Sequence, residues 1–437
     1  MTATIPPLAP EVPMSLPSPV TRTLESGLTV TAVRRATIPI AEIRLSIPMA
    51  GVEPATADLL TATLTGGTTD SSLREIAQRL QGFGGNLNAG ADPDRFAISG
   101  YCLSTALPDW LATLGELLVS ATFPADVFNG EQERIVDSIS VAEQQPGYVV
   151  NRALNMRLWG SHPYGDQHPG ADEFQAVTRD VVHEQYRQRV NRSGAHLTIV
   201  GDIDEDGIFD LVADRLSQWA EGNRSPAIAP LPSFTTGPLE IVDRPGSVQS
   251  VVRVAFPGVE RTHPDNAAQH LTNLIYGGYF SSRLVLNLRE EKGYGYAPRS
   301  VIDHSPAGTY QLTTADVATE VTADALREIH WEITRLGDTD VPADELEQAR
   351  QYALGALKIG TATNAGLASF MSSLAFYGLS LDWIKEHASR IQDVTAADVK
   401  RVAAQRLDLE KSVTVVLGEA KTIAEPLQEL TSVTVQS

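Results

Sequence analysis

Cysteine is almost absent from this sequence, which contains only Cys102 among its 437 residues. A single cysteine excludes an internal disulfide and a cysteine-based zinc site. No stretch approaches the roughly 18 uncharged apolar residues of a membrane helix. The Pro-rich first 20 residues have neither a basic start nor a continuous apolar run, so they predict an extended arm and no signal peptide. We therefore expect a soluble, cytoplasmic protein with no membrane partner.

Basic residues are fewer than acidic residues in this sequence. The chain has 34 Lys and Arg against 54 Asp and Glu, a formal net charge of -20 that is spread along the sequence. This charge argues against nucleic-acid binding and indicates a well-solvated acidic surface. A weaker interpretation is that an acidic cavity attracts basic peptides.

The length predicts two domains, and an internal repeat supports this. Apolar and polar residues alternate over Ile43–Ile47 and again over Val252–Phe256, as in half-buried strands. Each predicted strand is followed by a helical stretch that ends in Gly-Gly, Leu59–Gly67 and His270–Gly278. The order of elements in the first half therefore recurs in the second.

Two further landmarks recur at similar spacing. Phe123–Asp126 and Val341–Asp344 each place proline at the start of a long helical segment. Ala176–Asp180 and Asp393–Asp398 each contain a threonine followed by aspartate, which is typical of a helix start. Both of these helices run into a terminal strand. The terminal strands are His196–Gly201 and Val413–Gly418.

These repeats predict an α+β protein of two homologous domains related by internal duplication. The domains are residues 1–220 and 238–437, joined by a Pro/Ser/Thr/Gly-rich linker at residues 221–237. The stretch Leu107–Leu118 has one apolar stripe, so we expect each domain to be a mainly antiparallel sheet with helices packed on one face. A dinucleotide fold is disfavoured, because Gly82–Gly85 follows a helix instead of a strand.

The chain resembles the pitrilysin, or insulinase-type (M16-like), metallopeptidases over nearly its whole length. Three segments carry the resemblance: Gly66–Tyr101, Leu158–Gly165 and Tyr279–Ser300. In that family the helix before Gly67 and Thr68 carries the zinc motif His-x-x-Glu-His, and a glutamate on a later helix is the third ligand. The resemblance therefore implies where a metal site should lie in this sequence.

The metal-binding residues of the family are missing. The two histidine positions fall on Asp58 and Ala62, the water-activating glutamate on Thr61, and the third ligand on Ser138. One aspartate cannot provide a tetrahedral zinc site. We therefore predict that this chain binds no metal and has no catalytic residue of its own.

No other residues replace the lost ligands. None of the nine histidines has a second histidine or cysteine three or four positions further along. Glu131 and Glu133 lie on a charged helix and are interpreted as solvated. His162 and His168 flank a segment that is a structural turn in the family, and His270 is interpreted as a core histidine.

The substrate-side residues of the family are present in the second half. The family's substrate-binding arginine and tyrosine correspond to Arg289 and Tyr296, and the preceding Gly277–Leu284 also matches. A guanidinium can donate to peptide carbonyl oxygens, and a phenol can donate to the scissile carbonyl. The alternative is that Arg289 forms an ion pair and Tyr296 is an ordinary strand aromatic.

The resemblance implies the non-catalytic subunit of a heterodimeric, bacterial-type zinc peptidase. A paralogous subunit would hold the zinc, and this chain would supply Arg289 and Tyr296 in trans to cleave unfolded peptides such as leader or signal peptides. Tyr276–Leu284 is shorter than the glycine-rich loop of the inactive mitochondrial subunit, and the edge strand Asn86–Ala91 is interpreted as structural. The alternatives are a structural homologue like the core subunits of cytochrome bc1, and an inactive homodimeric peptide binder.

Overall fold

The computed structural model describes residues 15–436, so residues 1–14 of the predicted arm lie outside the described part of the chain. The strands are β1 (Val20–Thr23), β2 (Thr29–Arg34), β3 (Ile40–Pro48), β4 (Asn86–Ala91), β5 (Arg95–Leu103), β6 (His196–Gly201), β7 (Leu239–Asp243), β8 (Gln249–Pro257), β9 (Arg299–Ser305), β10 (Gly308–Ala318), β11 (Val413–Gly418) and β12 (Val433–Gln436).

The helices follow the same repeated order. They are α1 (Pro54–Thr63), α2 (Leu73–Gly82), α3 (Leu107–Ser120), α4 (Ala125–Ala142), α5 (Pro146–Trp159), α6 (Ala171–Ala176), α7 (Arg179–Arg189), α8 (Ile208–Arg215), α9 (Asn266–Asn273), α10 (Arg283–Val285), α11 (Thr322–Asp338), α12 (Ala343–Gly360), α13 (Asn364–Phe376), α14 (Asp382–Asp393), α15 (Ala396–Arg406) and α16 (Ala420–Gln428). Two π-helical segments, Leu274–Gly278 and Leu286–Glu291, extend α9 and α10.

The strands form two six-stranded sheets with matching topology. Sheet 1 has the order β1-β2-β6-β3-β5-β4, and sheet 2 has the order β12-β7-β11-β8-β10-β9. In sheet 1 only the β2 and β6 pair is parallel, and in sheet 2 the parallel pairs are those of β7 with β11 and β12. The predicted fold of two duplicated, mainly antiparallel α+β units is confirmed.

The repeated landmarks are the starts of equivalent helices. Pro124 and Pro342 are the residues that precede the first turns of α4 and α12. Thr178 caps α7 by accepting a hydrogen bond from the Val181 amide, and Thr395 caps α15 through a reciprocal pair with Asp398. The local sequence signals are therefore sufficient to place these helix starts.

The helices of each half cover one face of that half's sheet. Trp110 and Leu114 of α3 are fully buried in the core that also contains Ile43 and Leu45 of β3. Cys102 of β5 lies in the same core, and burial raises the pKa of its thiol to about 12. The apolar stripe of α3 packs against the alternating apolar residues of the strands. Because its pKa is raised, the Cys102 thiol stays protonated and unreactive.

The opposite face of each sheet is covered by a helix from the other half. Helix α5 packs on β8 and β11 of sheet 2, and α13 packs on β3 and β6 of sheet 1. Arg44 Nε donates to Ser369 Oγ of α13 at 3.3 Å, and the equivalent Arg253 Nε donates to Asn151 Oδ1 of α5 at 3.1 Å. This exchange was not predicted from the sequence, because a helical pattern does not identify the sheet that the helix will cover.

Residues 221–237 form no regular secondary structure, and the proposed domain boundaries at this linker stay a prediction. Within residues 15–436, none of the helices combines the length and the apolar character needed to cross a membrane.

Candidate functional site

The helix that would carry the metal motif is present in the first half. Asp58, Thr61 and Ala62 all lie on α1, are half-buried, and follow a helix start with proline in the first turn. Helix α1 packs against α4, which carries the exposed Ser138. The structure therefore places the four predicted positions on two contacting helices.

The side chains at these positions do not form a metal site. Thr61 Oγ1 donates to the carbonyl oxygen of Asp58 at 2.8 Å, which is a bond within the helix. Asp58 is the only carboxylate among the four, and no group of three or more His, Cys, Asp and Glu side chains within residues 15–436 is arranged to hold a metal ion. The donors present do not fit zinc, which needs three or four converging ligands.

A cavity of about 590 Å³ remains in front of α1. Its wall carries the carboxylates of Glu53, Asp58, Asp92 and Asp166, together with apolar groups such as Met156. Burial raises the pKa of Asp58, which has no cationic partner among the described residues. The first half thus has an acidic recess beside the positions where the resemblance predicts the family's metal site.

His162 lines the same cavity but is structurally paired. Its Nδ1 accepts from the amide of Tyr164 at 3.2 Å, and its Nε2 donates to the carbonyl oxygen of Ala229 at 2.9 Å. The Tyr164 hydroxyl in turn donates to Asp94. Both ring nitrogens of His162 are therefore occupied, in agreement with the predicted structural turn.

Arg289 and Tyr296 are in contact in the second half. The Arg289 Cζ atom lies 4.8 Å from the centre of the Tyr296 ring and 4.7 Å from that of Phe280. Tyr296 is 79% exposed and Phe280 is 63% exposed. Cation–π contacts with two rings hold the planar guanidinium in one orientation at the surface.

The hydrogen-bonding groups of Arg289 are only partly used. Its Nε lies 3.1 Å from Oε1 of Glu290, the ion pair that was the alternative interpretation of this residue. Glu290 is exposed, so water screens this pair and makes it weak. The two Nη atoms have no hydrogen bond or ion pair with any residue of 15–436, so they are free to donate to a ligand.

Tyr296 lies in a bend and not in a strand, so the interpretation as an ordinary strand aromatic is wrong. Gly293 has φ 67°, which a residue with a side chain rarely adopts. Gly295 bridges to Val317, and a Cβ atom there would be 2.5 Å from the Asp316 carbonyl oxygen. These two glycines allow the backbone to turn and bring Tyr296 over Arg289.

The segment that carries Arg289 is a π-helical turn, Leu286–Glu291, of a type that is frequent at functional sites. Leu288 in this turn is fully buried. The Tyr294 amide donates to the Leu288 carbonyl oxygen at 2.8 Å, which ties the following bend to the turn. The core anchors Arg289 and leaves its head group outside.

A polar network fixes this turn on α11. Asn287 Nδ2 donates to Glu328 and Glu332, each at 2.9 Å, and Lys292 Nζ lies 3.1 Å from Glu328. Glu332 is only 2% exposed and also accepts from Arg335. Sequence reasoning missed this network, because Asn287 and Glu328 are 41 positions apart and their contact is set by tertiary packing. It also assigned no role to Phe280, although Phe280 lies in the matching segment Gly277–Leu284.

The structure brings Arg289 and Tyr296 together, and it brings Asp58, Thr61 and Ala62 together. It does not join the two sets. No hydrogen bond, ion pair or ring contact links them within the described residues. A complete peptidase site is therefore not assembled from these two sets in this chain.

Comparisons with known proteins identify the family of this chain. The family model described as Insulinase (Peptidase family M16) matches residues 54–170, and the model described as Peptidase M16 inactive domain matches residues 176–352. The first match lies within the first half. The second match begins near the end of the first half and extends into the second half.

Bacterial relatives match over most of the chain. An uncharacterised zinc protease of Streptomyces coelicolor is 24% identical over 80% of this chain and 78% of its own length. One of Mycobacterium tuberculosis is 25% identical over 77% of both chains. The uncharacterised zinc protease YmxG of Bacillus subtilis is 24% identical over 67% of this chain and 71% of its own.

Solved structures share the fold. A peptidase M16 inactive domain from Pseudomonas fluorescens superimposes with a TM-score of 0.83 at 24% identity, covering 92% of this chain and 98% of that one. A protease from Helicobacter pylori gives a TM-score of 0.84 at 19% identity, covering 92% of this chain and 100% of that one. With two family models matching in succession and the same fold over nearly all of the chain, this protein belongs to the M16 (insulinase) family of peptidases.

Proposed function

We propose that this chain is the non-catalytic, substrate-binding subunit of a heterodimeric zinc metallopeptidase. It supplies Arg289 and Tyr296 to the active site of a paralogous subunit that carries the His-x-x-Glu-His motif. The observation that supports this most is the half-buried Arg289, held against two exposed rings with both Nη atoms unpaired among the described residues. Among the described residues of its own half, no group of three or more His, Cys, Asp and Glu side chains is arranged to hold a metal ion.

The two residues have distinct roles in this proposal. The Nη atoms of Arg289 donate to backbone carbonyl oxygens of a bound peptide and hold it in register. The Tyr296 hydroxyl donates to the scissile carbonyl oxygen, where negative charge develops during hydrolysis. Because the rings and the Asn287 network fix the arginine beforehand, little conformational entropy is lost when the peptide binds.

Extended, unfolded peptides are the proposed substrates, including leader or signal peptides. Arg289 would contact main-chain oxygens, which a folded protein keeps in its own secondary structure. The acidic recess of about 590 Å³ in front of α1 is compatible with peptides that carry basic residues. The zinc would be held by the partner, and the pair would act in the cytoplasm.

A purely structural homologue is the alternative. Such a protein would have no use for an arginine that is preorganised at the surface with free donors. The same feature would serve an inactive homodimeric peptide binder, which differs from our proposal in lacking a zinc-bearing partner.

Co-expression with a zinc-motif paralogue tests the proposal. We expect peptide hydrolysis by the pair only. Arg289→Ala and Tyr296→Phe should each lower kcat/KM. The expected decrease corresponds to a loss of about 2–4 kcal/mol of transition-state stabilisation. The control is Arg134→Ala, which removes an exposed arginine that is paired with Glu131 on α4.

Two results would contradict the proposal. One is cleavage of peptides by the purified single chain with stoichiometric zinc. The other is unchanged hydrolysis by pairs that contain either the Arg289 or the Tyr296 variant.

A further inference from the structure

A second cavity, of about 700 Å³, is lined by residues other than those of the acidic recess in front of α1. It lies at the end of sheet 1 on the face that α13 covers, and is closed by the linker around Arg224–Ile228. Phe376, at the end of α13, and Pro306, after β9, complete the wall. Both halves of the chain therefore line it, which is a common place for ligand sites, and its size is typical of them.

The internal duplication provides a comparison for this cavity. Ser46 and His196 are neighbours across β3 and β6, and their equivalents in sheet 2 are Ala255 and Val413, which are neighbours across β8 and β11. Ala255 and Val413 are fully buried in an apolar core with Trp159, the last residue of α5. The second half also has a cavity at this end of its sheet, of about 440 Å³, but there the strand pair beside it is apolar, whereas in the first half it is polar.

The polar groups of the cavity are incompletely paired. Ser46 is 4% exposed and Ser225 is 6% exposed, and neither hydroxyl oxygen has a hydrogen-bond partner within the described residues. His196 Nε2 pairs with Thr31 Oγ1 at 2.8 Å, and the wall includes its ring. A buried polar group without a partner costs about 1–3 kcal/mol, so buried hydroxyls that line a cavity indicate that something polar binds there.

The wall carries one charge of each sign. Arg224 has no ion pair or hydrogen bond with any residue of 15–436, and its side chain lies over Gly194. Asp94 accepts from Tyr164 through Oδ2, which leaves its Oδ1 unpaired. The remaining wall is formed by small or apolar groups such as Ile228 and Phe376. A ligand with a carboxylate, an ammonium group and an apolar side chain could pair with Arg224, pair with Asp94 and pack on the apolar residues, respectively.

We propose that the cavity binds a small zwitterion of the amino-acid or dipeptide class. The carboxylate pairs with Arg224 and the Ser225 hydroxyl, the ammonium group pairs with Asp94, and Ser46 hydrogen-bonds a polar atom between them. Because Phe376 and the linker close over the ligand, binding stabilises the packing of α13 on sheet 1. This inference does not depend on the proposed peptidase role.

Calorimetric titration of the full chain with glycyl-leucine tests the inference. N-acetyl-glycyl-leucine and glycyl-leucinamide, which each lack one of the two charges, are the matched controls. We expect glycyl-leucine to bind and raise Tm, and each blocked analogue to bind at least about tenfold more weakly.

Substitutions of residues that line the cavity separate their contributions to glycyl-leucine binding. Arg224→Gln should weaken glycyl-leucine binding about tenfold or more, and since Arg224 is exposed, folding should be unaffected. Ser46→Ala should weaken binding without lowering the Tm of the free chain, because it removes an unpaired buried hydroxyl. Arg134→Gln, on α4, should bind like the original chain.

The inference is overturned by any of three results. These are no binding of glycyl-leucine at about 10 mM, equal binding of the blocked analogues, and undiminished binding by Arg224→Gln. A crystal structure grown with the dipeptide that shows only water in the cavity would also overturn it.

Discussion

Helix α1 of the first half and the equivalent helix α9 of the second half differ in the burial of the same face. When Gly66-Gly67 is aligned with Gly277-Gly278, positions 58, 61 and 62 of α1 correspond to 269, 272 and 273 of the second half. Gln269 Oε1 accepts from the Val259 amide at 2.8 Å, and Asn273 Oδ1 accepts from Gln311 at 3.0 Å. In the second half this helix face is therefore closed and forms part of the core.

In the first half the equivalent face remains open. Asp58, Thr61 and Ala62 are half-buried, and Asp58 faces a cavity where the second half has buried hydrogen bonds. The first half therefore has a cavity in front of this helix, at the position where the resemblance predicts a lost metal site. In the second half the equivalent residues Gln269 and Asn273 are buried, and Arg289 follows one segment later.

Restoring the donors gives the largest expected effect on this comparison. The variant Asp58→His, Thr61→Glu, Ala62→His and Ser138→Glu should bind about one zinc ion per chain, because the helices that position the ligands are intact. The original chain and Asp58→His alone should retain none after dialysis. Elemental analysis measures the ratio, and a folded four-site variant without zinc would show that these positions do not converge.

Helices α5 and α13, which each cover the sheet of the other half, should contribute different amounts to the free energy of unfolding. Trp159 of α5 is 4% exposed in an apolar core, so Trp159→Ala should lower the free energy of unfolding by about 3–5 kcal/mol. Phe376 ends α13 beside a polar cavity and is half-buried, so Phe376→Ala should cost about 1–2 kcal/mol. Urea unfolding measures both losses, and equal losses would refute the asymmetry.

Acid should destabilise the second half more than the first. Burial holds the pKa of His270 at about 4, and burial with nearby positive groups holds those of His304 and His387 at about 3. Burial also lowers the pKa of His168 and His196 in the first half, by smaller amounts. Below pH 6.5 the unfolded chain binds protons that these neutral rings do not, so stability falls as pH decreases towards the folded pKa values.

The expected slope is about 1.4 kcal/mol per pH unit for each such histidine. His270 and His387 form one hydrogen-bonded pair at 3.2 Å, so the double variant His270→Gln and His387→Gln should show a shallower loss between pH 6.5 and 4.5. The measurement is the urea midpoint as a function of pH. The comparison concerns the slope, because the substitutions also change packing. An unchanged slope would mean that this pair does not control the acid sensitivity.

The duplicated helix caps should show the smallest difference. Thr395 has a reciprocal pair with Asp398, whose amide donates to Thr395 Oγ1 at 3.2 Å, whereas Thr178 accepts only one bond, from Val181 at 3.4 Å. Thr395→Ala should cost about 1 kcal/mol and Thr178→Ala about 0.5 kcal/mol. Thermal unfolding measures both, and the reverse order would show that the reciprocal pair adds nothing.

The repeated sequence landmarks were sufficient to predict the duplicated fold and the helix starts. The alternation at Ile43–Ile47, the Gly-Gly endings and the threonine caps depend on neighbouring residues and are visible along the chain. The resemblance also identified Arg289 and Tyr296, whose contact the structure shows. The partner, the substrate and the absence of metal in this chain stay predictions.

The sequence by itself determined the periodic elements, their repeated order and the identity of the residues at each candidate position. Only the tertiary structure decided that α5 and α13 are exchanged, that Phe280 and Tyr296 enclose Arg289, and that Ser46 faces a cavity where Ala255 is packed. The physical reason is the range of the interactions. Caps and periodicity act over a few residues, whereas burial, cavities and the contacts of a side chain depend on segments that are distant in sequence and meet only in the folded chain.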